Sequence, residues 1–488
     1  MGGQIAIPSE RTQKSNPTRL LIVLVLGILL AACSRAPQAR SGPDAVQETA
    51  DFQAAAQWSR EYWEAADLAK LPITFEVEGK SSREFLASWQ AAPVQMTTEG
   101  EKTQRTFRWT DAASGLELQV DLTSYKKWPV VEWIGYLRNT GQQTSPVVKN
   151  LLAADILFSG KDLTLHGIQG DNCWAKSYQP YVWNPQPGAS IRFSGQIGKS
   201  SGGEGWPYFN LAGPGASGRM LVVGWPGQWS AKFRAEESGV SWKAGQELTN
   251  FQLEPGEKVR IPSVTMLFWK GSDWILAQNL WRRWYRQHVM PKTDGETQKA
   301  VVQTQANAEE SFTPRIQALL DNGIQPDLCW RDAGDGWWSQ PDPTPYPAKQ
   351  AFLNTTGFWE PDPAKFPKGF LPFADWIHAR GMQLVVWFEP ERVGYTNSAA
   401  NAYSQPVLAT EHPDWLLPGG SHGSYFNLGN PVALAWLTDH LSKVIETQKI
   451  DWYREDFNGA GPLPVWRGHD AREKARTGKW REGLTENF

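Results

Sequence analysis

Three apolar runs in the C-terminal half of the chain end in acids, and these acids are the residues best suited to chemistry. Ile450-Asp-Trp-Tyr-Arg-Glu-Asp456-Phe-Asn458 reads as a short strand that delivers Asp456 and then breaks at Gly459-Ala-Gly-Pro462. Ile450, Trp452 and Tyr453 supply its buried part. Pro326–Asp332 ends in Asp332, and Met382–Phe388 runs into Glu389-Pro-Glu-Arg392. In a parallel α/β barrel, catalytic groups emerge at the C-terminal ends of the strands, so acids at consecutive ends would converge on one mouth. Carboxyl groups facing each other across a pocket are the machinery of glycosidic bond hydrolysis. No cluster of Cys and His has the spacing of a metal site, and nothing calls for a cofactor. For each acid taken alone the competing reading is structural, as a helix cap or an ion-pair partner. For Glu389 and Glu391, beside Arg392, the structural reading is the stronger one.

The elements that must position these acids follow a strand–helix–strand rhythm. Val301 to Thr304 is a first strand, and Pro314 to Asn322 a helix closed by Gly323. Pro326–Asp332 is the second strand. Leu371 to Arg380 is a helix stopped by Gly381, since glycine tolerates the left-handed turn after a helix. Met382–Phe388 is the third strand, nearly all apolar, as a strand covered on both faces must be. Ala433 to Lys449 is a helix, and Ile450–Asp456 the fourth strand. That alternation implies a TIM-type (β/α) barrel. Such a barrel needs about eight strands, and four are legible before Phe488. After Trp466 the chain reads as a basic, polar segment through Lys474, Arg476, Lys479 and Arg481.

Upstream the pattern is different. Leu116-Glu-Leu-Gln-Val-Asp-Leu122 alternates, as does much of Val130 to Leu137, and turn clusters such as Asp111 to Gly115 and Asn139-Thr-Gly141 separate such runs. Gln252 to Ile261 reads as a hairpin-like edge before a strand from Val264 to Trp269. Trp274 to Met290 is helical, and Pro291 to Gly295 is a plausible boundary. The expected fold is therefore multidomain, β plus α/β. Residues 46–295 form an antiparallel β-supersandwich, and residues 296–488 the N-terminal part of a (β/α) barrel, incomplete after its fourth strand.

The chain has 488 residues, 48 Lys and Arg against 51 Asp and Glu, and a net charge of −3, so nothing suggests a nucleic-acid partner. Tryptophan is abundant, with 27 against 12 Tyr and 20 Phe. Indole rings fill β-rich cores, and they also stack on the apolar face of a pyranose. Residues 1–33 read as a signal peptide: Arg11, Lys14 and Arg19 precede the apolar run Leu20 to Leu30, too short to span a membrane comfortably. It ends in Leu30-Ala-Ala-Cys33-Ser34, which resembles a bacterial lipobox, so Cys33 is the expected lipidation site and residues 34–45 a tether. The expectation is an exported bacterial lipoprotein, held to a membrane through that lipid alone. Cys173 and Cys329 fall in different expected domains and read as two free, buried thiols.

Several motifs together resemble those of glycoside hydrolase family 36, the melibiase-type α-galactosidases. In the barrel half they are Gly357-Phe-Trp-Glu-Pro-Asp-Pro-Ala-Lys-Phe-Pro-Lys-Gly369, Trp387-Phe-Glu-Pro-Glu-Arg-Val393, His412-Pro-Asp-Trp-Leu-Leu417 and Phe426-Asn-Leu-Gly-Asn-Pro431. In the sandwich they are Gly205-Trp-Pro-Tyr-Phe-Asn-Leu211 and Gly224-Trp-Pro-Gly-Gln-Trp229. The resemblance covers roughly residues 60–488. It implies a β-supersandwich joined to a catalytic barrel, and removal of terminal α-linked galactose by a retaining mechanism. Asp456 matches the nucleophile that forms a covalent glycosyl-enzyme. Cationic Arg454, two residues away, would favour the ionised form that a nucleophile needs. Asp332 matches an acid that hydrogen-bonds sugar hydroxyls, and Trp387 a residue lining the sugar subsite. Arg454 and Asn458 complete the candidate substrate-binding set.

The departures from the family pattern bear on specificity. Arg454 stands where the family often has Lys, and a planar, bidentate guanidinium is not interchangeable with an ammonium. A double acid on the second strand is here Asp332-Ala333, with Asp335 either its replacement or a surface residue. No Arg is evident near Ser421-His422. The family's acid/base lies on a later strand in a Cys- and Gly-rich segment, and no such segment follows Asp456, so the sequence predicts an inactive N-terminal part of a longer hydrolase. Its last stretch, Arg481 to Asn487, resembles a helix start. Two other readings stay open: an α-N-acetylgalactosaminidase or related α-glycosidase, and a non-catalytic sugar-binding lipoprotein. The sequence also leaves open a homo-oligomer.

Overall fold

The computed structural model of the protein describes residues 50–64, 67–171, 175–195, 199–214, 217–271, 273–306, 309–332, 356–357, 359–361, 363, 366–393, 408, 412–420, 423–457 and 463–484. Residues 1–45 with Cys33, and Cys173, Ala333, Asp335, Ser421, His422 and Asn458, lie outside the described residues.

Two antiparallel sheets form the N-terminal half. Among the described residues one has eleven strands and the other eight, the eighth being Arg481–Glu482 from the end of the chain. Period-two patterning builds them: Leu116, Leu118, Val120 and Leu122 are fully buried, while Glu117, Gln119 and Asp121 alternate on the other face. The interior between the sheets is aromatic, with Trp133, Trp229, Trp242, Phe209 and Phe233 fully buried. A buried indole needs a partner for its N–H, and Trp133 Nε1 donates to the Ala153 carbonyl at 2.8 Å, from one sheet to the other. Most of the tryptophan excess is thus core material. The helix Trp274–His288 starts on Asp273, whose Oδ1 accepts from Ile275 N at 2.8 Å. Its Ala277, Trp281 and Trp284 pack beside Tyr125, Leu267 and Trp269 of the larger sheet.

The second half holds four parallel strands in the order Gln303–Ala306, Leu328–Arg331, Gln383–Phe388, Trp452–Glu455. They are the expected four, with no end displaced by more than two residues; the first runs two residues past Thr304 and the third ends at Phe388 as expected. The helix Glu309–Asp321 starts five residues earlier than Pro314, which lies inside it and forfeits one backbone donor. Leu371–His378 ends before Gly381, which takes φ +72°. Pro431–Thr447 starts on Asn430, whose Oδ1 accepts from Val432 N. Phe312, Ile316, Phe373, Ile377, Leu437 and Val444 cover the helix side of the sheet over Cys329, Leu384 and Val386. Cys329 is free and buried, as expected.

Two expectations fail. Trp452 and Tyr453 do not supply a buried stretch: Trp452 is half-buried and Tyr453 is 39% exposed, while Ile450 is buried. Among the described residues the fourth strand pairs only with the third. The basic, polar segment after Trp466 also takes regular structure, and Arg481 does not begin a helix. Leu463–Thr477 is helical, and Arg481–Glu482 pairs antiparallel with Asn250–Phe251 of the sandwich. An edge strand carries unsatisfied donors and acceptors, and this segment supplies partners: Gln252 N donates to the Trp480 carbonyl at 2.9 Å. The basic side chains meet acids of the neighbouring turn, Lys479 on Glu254 at 2.6 Å and Arg481 bidentate on Glu257 at 2.7 and 2.8 Å.

Candidate active site

Register decides which side chains share the mouth. Trp330 pairs with Val385, Val385 with Trp452, and Trp387 with Arg454. Side chains two apart share a face, so Asp332, Trp387, Arg454 and Asp456 belong to one face of the sheet. Leu384, Val386 and Phe388 belong to the opposite face, under the helices.

Strand pairing runs one step past the last residue of the fourth strand. Asp456 N donates to the Phe388 carbonyl at 2.9 Å, and this fixes the backbone that carries the carboxylate. Trp387 Nε1 donates to Asp456 Oδ2 at 2.9 Å. Arg454 Nη1 lies 2.7 Å from the same oxygen, and Phe457 N donates to Oδ1 at 2.8 Å. Donors thus reach both oxygens, an environment that suits the anion and holds its plane. Trp387 is fully buried, with its ring centroid 5.8 Å from that of Trp359. Its N–H is the group that reaches the Asp456 carboxylate.

Two residues of this site escaped the sequence analysis. The Arg454 guanidinium lies over the Trp330 ring, 4.9 Å from its centroid, a distance at which a cation is attracted to an indole face. Gln305, on the first strand, donates from Nε2 to Asp332 Oδ2 at 2.5 Å. The available signal was alternation: Trp330 stands two residues before Asp332, and Gln305 pairs with Trp330. Arg331, between them, goes to the other face, where its guanidinium lies 4.0 Å from the Phe373 ring centre and 4.6 Å from that of Phe312.

The other acids do different work. Glu389 and Arg392 form a buried ion pair, as the structural reading expects. Glu391 is not Arg392's salt-bridge partner. Burial pushes its pKa up to about 7, and the negative charges of Glu455 and Glu389 add to this. Its neighbour Glu455 pairs in register with Phe388, on the face away from Asp456. Phe388 stacks on Tyr453 at 5.0 Å and Tyr425 approaches Phe457 at 5.4 Å on that side. Among the described residues no group of His, Cys, Asp and Glu is arranged to hold a metal ion.

Residues 271–473 match the Melibiase family model. The α-galactosidase Mel36A of Lactobacillus acidophilus is 21% identical over 383 residues, covering 75% of this chain and 49% of that protein. Alpha-galactosidase 2 of Pediococcus pentosaceus is 22% identical over 408 residues, covering 80% of this chain and 52% of that protein. The chain spans about half the length of these curated relatives. Among solved structures, the α-galactosidase of Lactobacillus brevis superposes with a TM-score of 0.64 at 17% identity, over 84% of this chain and 58% of that one. The family 36 α-galactosidase AgaA of Geobacillus stearothermophilus, solved in complex with stachyose, gives 0.63 at 18% identity, over 79% and 55%. At these identities the structural likeness is one of fold.

Proposed function

Because residues 271–473 carry a melibiase domain, in a chain of the melibiase-type glycoside hydrolase family 36, we propose that the protein hydrolyses terminal α-galactosides by a retaining mechanism with Asp456 as nucleophile. The observation that carries this reading is the Asp456 carboxylate, presented at a parallel strand's end between Trp387 Nε1 and Arg454. Its Oδ atom attacks the anomeric carbon. The bond to the leaving oxygen breaks, and that oxygen takes a proton from an acid. Water then cleaves the glycosyl–aspartate ester and restores the carboxylate. Such a pair of carboxyl groups stands about 5–5.5 Å apart, and we assign no acid/base among the described residues. Asp332, held by Gln305, accepts from sugar hydroxyls. The substrate class is an α-galactosyl oligosaccharide of the raffinose and stachyose kind, which related structures hold. We also propose that Cys33 carries the lipid that anchors the exported protein. Cys33→Ala should then move it from the membrane fraction to the soluble one.

The test is turnover of 4-nitrophenyl α-galactoside and of raffinose by the protein in a form that carries the acid/base. We expect Asp456→Asn to lower kcat by about 10⁴-fold or more, since it removes a nucleophile. Near-normal turnover by that variant would falsify the assignment. Turnover confined to the N-acetylgalactosaminide would replace the sugar while keeping the nucleophile.

A further inference from the structure

We propose that Lys199, a residue of the β-sandwich, is a positioning residue for Asp456. The inference rests on the reading of Asp456 as nucleophile and adds a contribution from the other domain. Lys199 Nζ donates to the Phe457 carbonyl at 3.2 Å and lies 5.5 Å from the centre of the Phe457 ring. Phe457 is the residue whose N–H donates to Asp456 Oδ1 at 2.8 Å. One residue is therefore gripped at both of its backbone polar groups, by the carboxylate on one side and by the sandwich on the other. The Asp456 carboxylate is oriented partly by the Phe457 N–H, so the grip on Phe457 bears on the nucleophile's direction.

The residues that follow the lysine are tied to the sandwich core. Trp229 Nε1 donates to the Ser200 carbonyl at 2.7 Å, and Ser200 Oγ donates to the Trp225 carbonyl at 2.7 Å. Gly202 N donates to the Lys199 carbonyl at 3.3 Å. Trp229 is fully buried in the sandwich core, so Ser200, next to the lysine, is tied to the interior of that domain. Both tryptophans belong to Gly224-Trp-Pro-Gly-Gln-Trp229, a motif that the catalytic reading leaves without a task. It holds the loop that presents Lys199 to the strand end after Asp456. Lys199 is itself exposed, so water competes for its ammonium and the expected effect is moderate.

The test uses the full-length protein with 4-nitrophenyl α-galactoside. Lys199→Met keeps the aliphatic stem over the Phe457 ring and removes the donor, whereas Lys199→Arg keeps a donor. We expect kcat of the Met variant to fall about tenfold with KM within about twofold, because misplacement of a reacting group costs rate before it costs binding. The Arg variant should recover to within about threefold of wild type, with its thermal midpoint unchanged. A Met variant with wild-type kcat overturns the proposal. So do equal losses in the Met and Arg variants, or a loss that follows the folded fraction. If Asp456→Asn is inactive and Lys199→Met is normal, only this inference fails. If Asp456→Asn keeps turnover, the nucleophile reading has failed first.

Discussion

Trp387 places its indole N–H 2.9 Å from Asp456 Oδ2 while burying its whole ring against Trp359. The donor cannot swing away, because the packing that holds the ring also holds the N–H. The direction of the carboxylate is in this respect set by the core of the sheet rather than by solvent. A preorganised donor is most useful where it costs no rearrangement during the reaction.

Trp387→Phe keeps an aromatic ring in the core and removes only the donor and part of the volume. We expect kcat for an aryl α-galactoside to fall about 10- to 100-fold, at or below the range seen for loss of one preorganised donor. Affinity for 1-deoxygalactonojirimycin, measured by calorimetry, should change far less. A loss in affinity as large as the loss in rate would place the indole on the sugar instead of on Asp456.

Trp330 and Arg454 should behave as one unit. The guanidinium lies over the indole and reaches Asp456 from there, so each residue acts through the other. Arg454→Lys keeps the charge and loses the plane that stacks. We expect it to lower kcat/KM in the wild-type background by about tenfold more than in the Trp330→Val background, a coupling of about 1.4 kcal/mol. Strict additivity in a double-mutant cycle would mean that the stacking contributes nothing to the site.

The apolar third strand could be read directly, because a strand flanked by two others and covered by helices must be apolar throughout. Asp332 and Asp456 could be read as strand ends for a related reason: the apolar run stops where the chain leaves the sheet. Gln305 and Trp330 were hidden because their task depends on register between strands about 25 residues or more apart in sequence, which no local pattern encodes. Trp452 and Tyr453 misled because composition does not say which edge of a strand is covered. Arg481 misled for a different reason: it read as a helix start, but what shapes it is Glu257, 224 residues upstream.

Glu391 should make the folded state sensitive to pH near neutrality. Its pKa is pushed up to about 7 by burial, with Glu455 and Glu389 adding, and Lys199 acts in the opposite sense. An acid whose folded pKa lies above its unfolded value holds its proton longer in the folded state. Stability is then lost as pH rises from about 4.5 to about 7, because the unfolded chain ionises first. Glu391→Gln removes this loss. We expect urea denaturation to find the variant more stable than wild type at pH 8 by about 1–3 kcal/mol, with the gap closing toward pH 5. A constant difference across that window would exclude Glu391 as its source.

Arg481 latches the end of the chain onto the edge of the sandwich. Arg481 makes two hydrogen bonds to the Glu257 carboxylate and a third, at 3.2 Å, to the Gln252 carbonyl. The pair is about three-quarters buried, so solvent screens it less than it would a surface ion pair. Glu257 also holds the turn, since its Oε2 accepts from Glu254 N at 2.8 Å, so losing Arg481 leaves an acid beside a backbone still arranged for it. Arg481→Met preserves much of the stem and removes every donor. We expect a stability loss of about 1–3 kcal/mol, the range for charged hydrogen bonds. Hydrogen exchange should localise it, with amides near Trp480 and Gln252 losing protection while those of Leu116–Tyr125, in the middle of the larger sheet, keep theirs. Uniform deprotection of both regions would show that the segment is folded into the sandwich as one cooperative unit rather than latched onto its edge.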